Sequence, residues 1–238
     1  MPKIHVIKIG GSILSPNAQN LFNYAYAASL RKFLIDWLGA RGMVICVGGG
    51  YLARKSQQDA ATHGESDKID LHKIGVAATN LNAELLHAVL SDIAVPEVLR
   101  YDEYTEFVDG GAGLEIPPGK VLIASAAIPG RSNDWNAMEL ATKLGVNTVI
   151  DIKNVDGVYS ANPKDNPEAK FLPKLTWQEY LDIIGNPDSH EPGASYPIDP
   201  LTARAAADQS FVFKVIGSEL KNIQAALENE EFTGTIIS

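Results

Sequence analysis

The chain has 238 residues, a formal net charge of -9 at pH 7 and a hydrophobic content of 45%. This size and apolar content suit one α/β domain with a substantial core. The acidic balance argues against nucleic acid as a partner, because a duplex-binding surface needs a basic patch, and no apolar run is long enough to predict a membrane span. The only cysteine, Cys46, stands in an apolar run and is expected in the core. Without an internal disulfide, the chain fits a reducing cytoplasm.

Strands and helices alternate along the first half of the sequence. Apolar runs predict strands over residues 4–9 and 44–47, and apolar residues at helical spacing predict a helix over 21–38. Further helices are predicted over 52–63 and from about 71 to 90. The helix over 52–63 begins just after three glycines, so the positive end of its dipole should face that turn.

The second half continues the alternation, which predicts a largely parallel sheet. Strands are predicted over 96–100, 121–125, 146–152 and 211–216, and helices over 134–144, 176–184, 201–208 and 220–227. The helix over 134–144 should have Asn133 or Asp134 near its cap. Glycine and proline predict a loop over 110–119, and the polar residues 185–197 predict a lid or an oligomer contact.

Three turns that follow predicted strands are candidates for a phosphate site. They are Gly10-Gly11-Ser12, Gly48-Gly49-Gly50 and Asp156-Gly157. Ligands of open α/β sheets bind at the carboxyl ends of the strands. Glycine lets backbone N–H groups approach an anion, because no Cβ intervenes. Each turn alone would also suit a simple connection between elements.

Side chains near these turns strengthen the case for a nucleotide. Tyr159 offers a flat face to a base, Lys164 offers a charge to a phosphate, and Lys8 is a basic residue within the first strand. Together with the three turns, these residues favour nucleotide binding over a purely structural role.

With these residues in view, the chain resembles the amino-acid kinase superfamily and, within it, uridylate (UMP) kinases of the archaeal type. The matching stretches are residues 8–12, 47–55, 79–83, 129–130, 134, 154–164, 198–201 and 234–237. The triple glycine followed by Leu52-Ala53-Arg54 is specific to the superfamily, as is the run Asn154-Val155-Asp156-Gly157-Val158-Tyr159.

The resemblance implies a three-layer αβα sandwich around a largely parallel sheet. It implies one domain over residues 1–238, with an acceptor and phosphate lobe over 1–145 and an ATP-binding lobe over 146–238. The implied activity is transfer of the ATP γ-phosphoryl group to UMP, as in pyrimidine biosynthesis, with Mg²⁺ bridging the donor phosphates. Similar UMP kinases are hexamers built from dimers, so a cytoplasmic hexamer is expected.

The resemblance also assigns roles to residues. The implied catalytic residues are Lys8, which stabilises the transferred phosphoryl group, Asp134, which orients that lysine, and Arg54, which binds phosphate oxygens. Their plainer alternatives are a solvated lysine, a helix cap and a solvated arginine. The implied ATP-binding residues are Gly10, Gly11, Ser12, Gly50, Lys153, Asp156, Tyr159, Asn162 and Lys164. The implied acceptor-binding residues are Gly49, His72, Pro129, Gly130, Arg131, Ser132 and Asn133.

The acceptor residues depart from the pattern of archaeal UMP kinases. Those enzymes bind the UMP ribose with an aspartate where this chain has His72. Their uracil loop, Thr-x-Pro-Gly-x-Thr-Thr-Asp, reads Ala-Ile-Pro-Gly-Arg-Ser-Asn-Asp over residues 127–134. Arg131 adds a cation that could meet another anionic group. A superfamily kinase with a different phosphorylated acceptor is therefore an alternative.

Molybdenum storage protein subunits suggest a second alternative. They share the fold, bind ATP without phosphorylating UMP and also lack the ribose aspartate, and residues 171–176 and 196–199 resemble theirs. A non-catalytic ATP-binding storage or regulatory protein thus stays open. The histidines show no tight metal-ligand spacing, so no metal site built from protein side chains is predicted.

Overall fold

The structure is a computed structural model that describes residues 3–64, 67–100, 115–125, 131–163, 165–185 and 196–238. Its strands are β1 (Ile4–Ile9), β2 (Gly42–Val47), β3 (Val121–Ala124), β4 (Thr148–Ile152), β5 (Val158–Tyr159), β6 (Phe171–Leu172), β7 (Lys174–Leu175), β8 (Val212–Ile216) and β9 (Gly234–Ile237). Its helices are α1 (Gly11–Leu14), α2 (Tyr24–Leu38), α3 (Gly50–His63), α4 (Lys68–Val89), α5 (Asn133–Lys143), α6 (Trp177–Ile183), α7 (Pro200–Asp208) and α8 (Leu220–Glu228).

The described part of the chain builds one central sheet of seven strands in the order β3-β2-β1-β4-β8-β9-β7. The neighbours from β3 to β8 are parallel, whereas β9 runs antiparallel to β8 and carries the short β7 parallel to itself. Strands β5 and β6 form a separate antiparallel pair. The predicted α/β class with a largely parallel sheet is confirmed.

Both faces of the sheet are covered, because successive strand residues point to opposite sides. On one face, Val6 and Val44 belong to a core that includes residues of α5, α6 and α7. On the other, Ile7 and Ile45 belong to a core that includes residues of α2, α4 and α8. The strands are therefore apolar on both sides, as expected for buried parallel strands, and the three-layer arrangement follows. Cys46 is buried as predicted.

Asn133 and Asp134 lie near the cap of α5, as predicted; the cap itself is Ser132, whose hydroxyl accepts a hydrogen bond from the Trp135 N–H at 3.1 Å. Other local predictions were wrong. Residues 96–100 form no strand; Leu99 makes an isolated bridge to Ala124 beside β3. Strand β9 and the β5–β6 pair were not predicted, because two to four residues are too few to show a period.

The predicted loop at 110–113 and most of the predicted lid, residues 186–195, lie outside the described residues. Within the described ranges, none of the helices has both the length and the apolar character needed to cross a membrane.

Candidate active site

Four charged side chains lie together at the carboxyl ends of β1 and β4. The parallel register pairs Lys8 of β1 with Asp151 of β4. Lys8 Nζ lies 2.6 Å from Asp134 Oδ1 and 3.2 Å from Asp151 Oδ1. Lys153, the first residue after β4, places its Nζ 2.9 Å from Asp151 Oδ2 and 3.5 Å from Asp134 Oδ1. We call these four residues the Lys8 cluster.

Asp134 reaches the cluster from the amino end of α5. Its Oδ2 atom accepts a hydrogen bond from the Asp199 N–H at 3.1 Å. The Asp199 carboxylate in turn caps α7 by accepting from the Leu201 and Thr202 N–H groups at 3.0 and 3.1 Å. The start of α7 therefore fixes one carboxylate oxygen of Asp134 and leaves the other for the two lysines.

Burial makes these charges interact strongly. The side chains of Lys8 and Asp134 are each 8% exposed, and Asp151 is 0% exposed. Burial alone would lower the pKa of Lys8, but Asp134 and Asp151 raise it above the usual lysine range. Burial alone would raise the pKa of Asp134, but Lys153 and Lys8 lower it. Burial raises the pKa of Asp151 against the opposing effect of the same lysines. Lys8 is therefore held as a cation next to an ionised Asp134.

The two glycine turns pack directly against each other. A Cβ on Gly11 would lie 2.0 Å from Gly50 N, and one on Gly50, whose φ is +65°, would lie 2.2 Å from Gly11 O. Ser15 accepts hydrogen bonds from the N–H groups of the second and third residues of α3, at 2.7 Å to its carbonyl and 3.2 Å to its hydroxyl. Two donors at the start of α3 are thus engaged within the protein. The N–H groups of Gly49 and Gly50 stay as the candidate phosphate donors of this turn.

A cavity of about 520 Å³ opens beside the Lys8 cluster. It brings together five residues predicted to be catalytic or ATP-binding: Ser12, Arg54, Lys153, Tyr159 and Asn162. Arg54 Nη2 donates to the Ser12 hydroxyl at 3.3 Å, so the arginine lies over the first glycine turn. The Tyr159 ring meets the Phe171 ring edge to face, with centroids 5.5 Å apart, which fixes it at the far side of the cavity.

Among the other predicted ATP-binding residues, Gly10, Gly11, Gly50 and Asp156 do not line the cavity. Asp156 lies against Gly217, on which a Cβ would come within 2.6 Å of Asp156 Oδ1. Lys164 lies outside the described residues. The Asp-Gly turn therefore shapes the loop between β4 and β5, and its carboxylate is turned toward the chain that follows β8.

The predicted acceptor residues are divided between α4 and the start of α5. A Cβ on Gly49 would lie 3.0 Å from Thr79 Oγ1 and 3.5 Å from Gly75 O, so the triple-glycine turn touches α4. His72 lies on the same helix three residues before Gly75 and is half-buried. The guanidinium of Arg131 stacks over the Trp135 ring at 3.9 Å from its centroid.

The other predicted acceptor residues lie beside α5 or cannot be placed. The Ser132 hydroxyl donates to the Asp199 carboxylate and also caps α5, so the two helices meet at this residue. Asn133 is the first residue of α5 and is half-buried. Pro129 and Gly130 lie outside the described residues.

Asn82 orients the triple-glycine turn from α4. It is completely buried, and its Nδ2 donates to the carbonyl oxygens of Gly48 and Gly49 at 2.8 and 3.1 Å. Because a peptide's C=O and N–H point in opposite directions, holding both carbonyls toward α4 directs the N–H groups that follow them away from α4.

Sequence reasoning missed Asp151, Asn82 and the role of Asp199. Asp151 carried a usable signal, because it is a charged residue inside the apolar run 146–152. Its burial on a central strand requires a cationic partner, and Lys8 is the basic residue at the same end of the neighbouring strand. Asn82 and Asp199 carried no such signal, because Asn82 donates to backbone carbonyls of a distant turn and Asp199 reaches Asp134 through its own backbone N–H.

Comparison with known proteins gives a consistent result. The amino acid kinase family model matches residues 3–213. The uridylate kinase of Haloquadratum walsbyi is 32% identical over 235 residues, covering 98% of this chain and 92% of that protein. The uridylate kinase of Pyrococcus abyssi is 32% identical over 215 residues, covering 90% of each. The crystal structure of the Archaeoglobus fulgidus uridylate kinase superposes with a TM-score of 0.76 at 28% identity, covering 99% of this chain and 100% of that one.

Proposed function

The chain belongs to the amino acid kinase family, and from this premise we propose that it transfers the γ-phosphoryl group of ATP to UMP, yielding ADP and UDP. It is a phosphotransferase. The observation that carries the proposal is the buried Lys8–Asp134 pair, 2.6 Å apart, beside the cavity and the two packed glycine turns. The UMP kinases at about 30% identity over most of the chain support UMP as the acceptor.

The reaction needs positioned positive charge more than it needs covalent chemistry. An oxygen of the UMP phosphate forms a bond to the γ-phosphorus, and the bond from that phosphorus to the β–γ bridging oxygen breaks. Negative charge shifts onto the leaving ADP and the phosphoryl oxygens. Lys8 would meet this charge with an ammonium that Asp134 already holds in place, so little reorganisation is required when the charge develops.

The donor would bind with its adenosine against Tyr159 and Asn162 and its phosphates near Ser12 and Arg54, all of which line one cavity. Arg54 is suited to phosphate, since its planar fork binds two oxygens at once. The γ-phosphoryl group would then lie between the first glycine turn and Lys8. This arrangement assigns residues 146–238 to adenosine and residues 1–145 to the acceptor and the transferred group.

Mg²⁺ would arrive with ATP. Among the described residues, no three or more His, Cys, Asp or Glu side chains are grouped to hold a metal ion. This fits an ion bound mainly by donor phosphates and water, as Mg²⁺ prefers. Bound there, it would neutralise charge on the donor phosphates. The side chains of the site would then bind and orient the nucleotide rather than hold the ion directly.

The acceptor phosphate would meet the N–H groups of Gly49 and Gly50, in the turn that Asn82 orients. His72 and Arg131 would stand on the two sides of the acceptor, on α4 and before α5. Arg131 stacks on the Trp135 ring, which leaves the N–H groups at the edge of its guanidinium to meet an anion. Pro129, Gly130, Ser132 and Asn133 stay predictions for this pocket.

We further propose a cytoplasmic enzyme of pyrimidine biosynthesis that assembles as a hexamer. Large apolar side chains exposed on α2 and α4, including Tyr24 at 57% and Ile69 at 57%, support burial against other copies. Light scattering on the purified protein tests the assembly. The alternative of a non-catalytic storage protein is not favoured, because the similar proteins are uridylate kinases.

The test is ADP release from MgATP with a panel of nucleoside monophosphates, alongside metal analysis of the purified protein. We expect UMP to give the highest kcat/KM, and the other pyrimidine ribonucleotide, CMP, to give a much lower one. A preference for another phosphorylated acceptor would contradict the UMP assignment while leaving the phosphotransferase assignment intact. Tightly bound molybdenum or tungsten with no turnover would support the storage alternative.

A further inference from the structure

The Lys153 side chain passes Gly10 of the first glycine turn. The Gly10 N–H donates to Ile152 O at 2.8 Å, and a Cβ on Gly10 would lie 3.7 Å from Lys153 Cδ. The Lys153 side chain therefore runs over a residue that has none and reaches the cluster beneath. It is 13% exposed and lines the cavity, so its ammonium borders both the buried carboxylates and the ligand space.

The two ammonium groups share their carboxylates. Asp134 Oδ1 lies 2.6 Å from Lys8 Nζ and 3.5 Å from Lys153 Nζ. Asp151 uses one oxygen for each lysine, at 3.2 Å for Lys8 and 2.9 Å for Lys153. Two like charges this close to one another repel, so a carboxylate between them is needed to keep both charged. The result is a cluster in which two lysines share the same two carboxylates and Lys153 also borders the cavity.

A purely structural role explains this arrangement poorly. A buried group of ion pairs is weak evidence for stability, because well-packed apolar residues would serve as well or better. Strongly perturbed charges that border a cavity are instead typical of functional sites. Asp151 sits on a central strand whose other buried residues are apolar, and its ion-pair partners among the described residues are the two lysines.

We propose that Lys153 is a second catalytic lysine, whose side-chain ammonium contacts the phosphoryl group in flight, and that Asp151 is a positioning residue that holds Lys153 beside Lys8. The proposal rests on the proposed function, because it needs phosphoryl transfer to occur at this site. It assigns the Lys153 side chain to the transferred group rather than to the adenosine. As the bond to the β–γ bridging oxygen breaks, Lys8 and Lys153 would meet the developing charge from two sides.

The first test is Lys153→Met, with Lys174→Met as the matched control on an exposed lysine of β7. We expect kcat to fall about a hundredfold, as for loss of one electrostatic contact to a transition state. The KM for ATP and for UMP should change by less than about threefold, because the contact strengthens only as charge develops. Lys153→Arg should restore part of kcat. A kcat for Lys153→Met within about threefold of the control would overturn the proposal.

The second test separates Asp151 from Lys153. If Asp151 acts through Lys153, then Asp151→Asn adds little to the loss in Lys153→Met, and the double variant resembles Lys153→Met alone. Additive losses would mean that Asp151 acts through Lys8 instead and would overturn its assignment. The double variant also removes one charge of each sign. If Lys153→Met fails to fold, the same kcat comparison is made between Asp151→Asn and the double variant.

The third test needs no acceptor turnover and so separates this inference from the UMP assignment. ADP with aluminium fluoride mimics the planar phosphoryl group, and its affinity is compared with that of ADP alone. Lys153→Met should weaken the binding of ADP with aluminium fluoride about a hundredfold, and the binding of ADP alone by less than about threefold. Equal weakening of both ligands would place Lys153 on the nucleotide and overturn the proposal. Should another acceptor replace UMP, the kcat comparison is made with that acceptor.

Discussion

Replacing Lys8 with methionine tests whether the Lys8 cluster is balanced by charge. Lys8→Met keeps the length of the side chain and leaves two buried carboxylates, Asp134 and Asp151, facing one ammonium. Breaking a buried ion pair by removing one partner typically costs about 3–5 kcal/mol. We expect about 3 kcal/mol near neutral pH, at the low end of that range, because Lys153 still pairs with both carboxylates. Turnover should fall about a hundredfold or more, with a smaller effect on ATP binding.

The direction in which the stability difference changes with pH follows from the protonation of Asp151. With Lys8 absent, the surplus negative charge is relieved by protonating Asp151, whose pKa burial already raises. A carboxyl group with a folded-state pKa above its unfolded value binds more protons when folded, so lowering the pH adds stability. The stability gap between wild type and Lys8→Met should therefore narrow as the pH falls from about 8 to about 5.

Urea unfolding followed by tryptophan fluorescence measures this gap, since Trp37 and Trp177 are buried. The matched control is Arg31→Met, which breaks an exposed ion pair with Asp92 and should change stability little at either pH. The double variant with Asp151→Asn should recover part of the loss, because it removes the surplus carboxylate. A gap that stays constant with pH, and a double variant no more stable than Lys8→Met, would refute the charge-balance argument.

Three further predictions follow from the glycine turns and the acceptor side. Gly11→Ala should lose both stability and activity, because its Cβ would lie 2.0 Å from the backbone nitrogen of Gly50; thermal unfolding and ADP release measure this, and a stable, active variant would contradict the packing. Asn82→Ala removes the side-chain donor of the Gly48 carbonyl and one of the two donors of the Gly49 carbonyl, so it should cost about 1–3 kcal/mol and raise the KM for the acceptor more than that for ATP. His72→Asp should lower the KM for UMP, because a carboxylate accepts hydrogen bonds from ribose hydroxyls better than imidazole does; loss of acceptor binding would instead indicate a more anionic acceptor.

Much of the fold could be predicted because its signals are local. The runs that became β1, β2 and β4 are apolar on both faces, and the helices between them have apolar residues at helical spacing. The predictions failed where the determinants are tertiary. Ser132 was not named as the cap, and its hydroxyl contacts both the start of α5 and Asp199, the residue that caps α7.

The residues of the site also divide into those that the sequence reveals and those that only the structure reveals. Glycine turns and Lys8 are visible in sequence, because their chemistry depends on residue type and on position at a strand end. The convergence of Lys8 and Lys153 on one carboxylate oxygen of Asp134 depends on the register of β1 and β4 and on the start of α7. Those are long-range properties, and no spacing along the chain encodes them.

The Lys8 cluster also explains why the fold tolerates buried charge in its centre. Its four charges come from three elements: β1 carries Lys8, β4 carries Asp151 and is followed by Lys153, and the start of α5 carries Asp134. No single element can therefore move without separating an ion pair in a medium where separation is costly. A transition state with developing negative charge can use such a cluster without rearranging it, because the ammonium groups are already oriented. In the proposed mechanism, the fixed positions of these charges would stabilise the phosphoryl group in flight, although their burial costs stability in the resting protein.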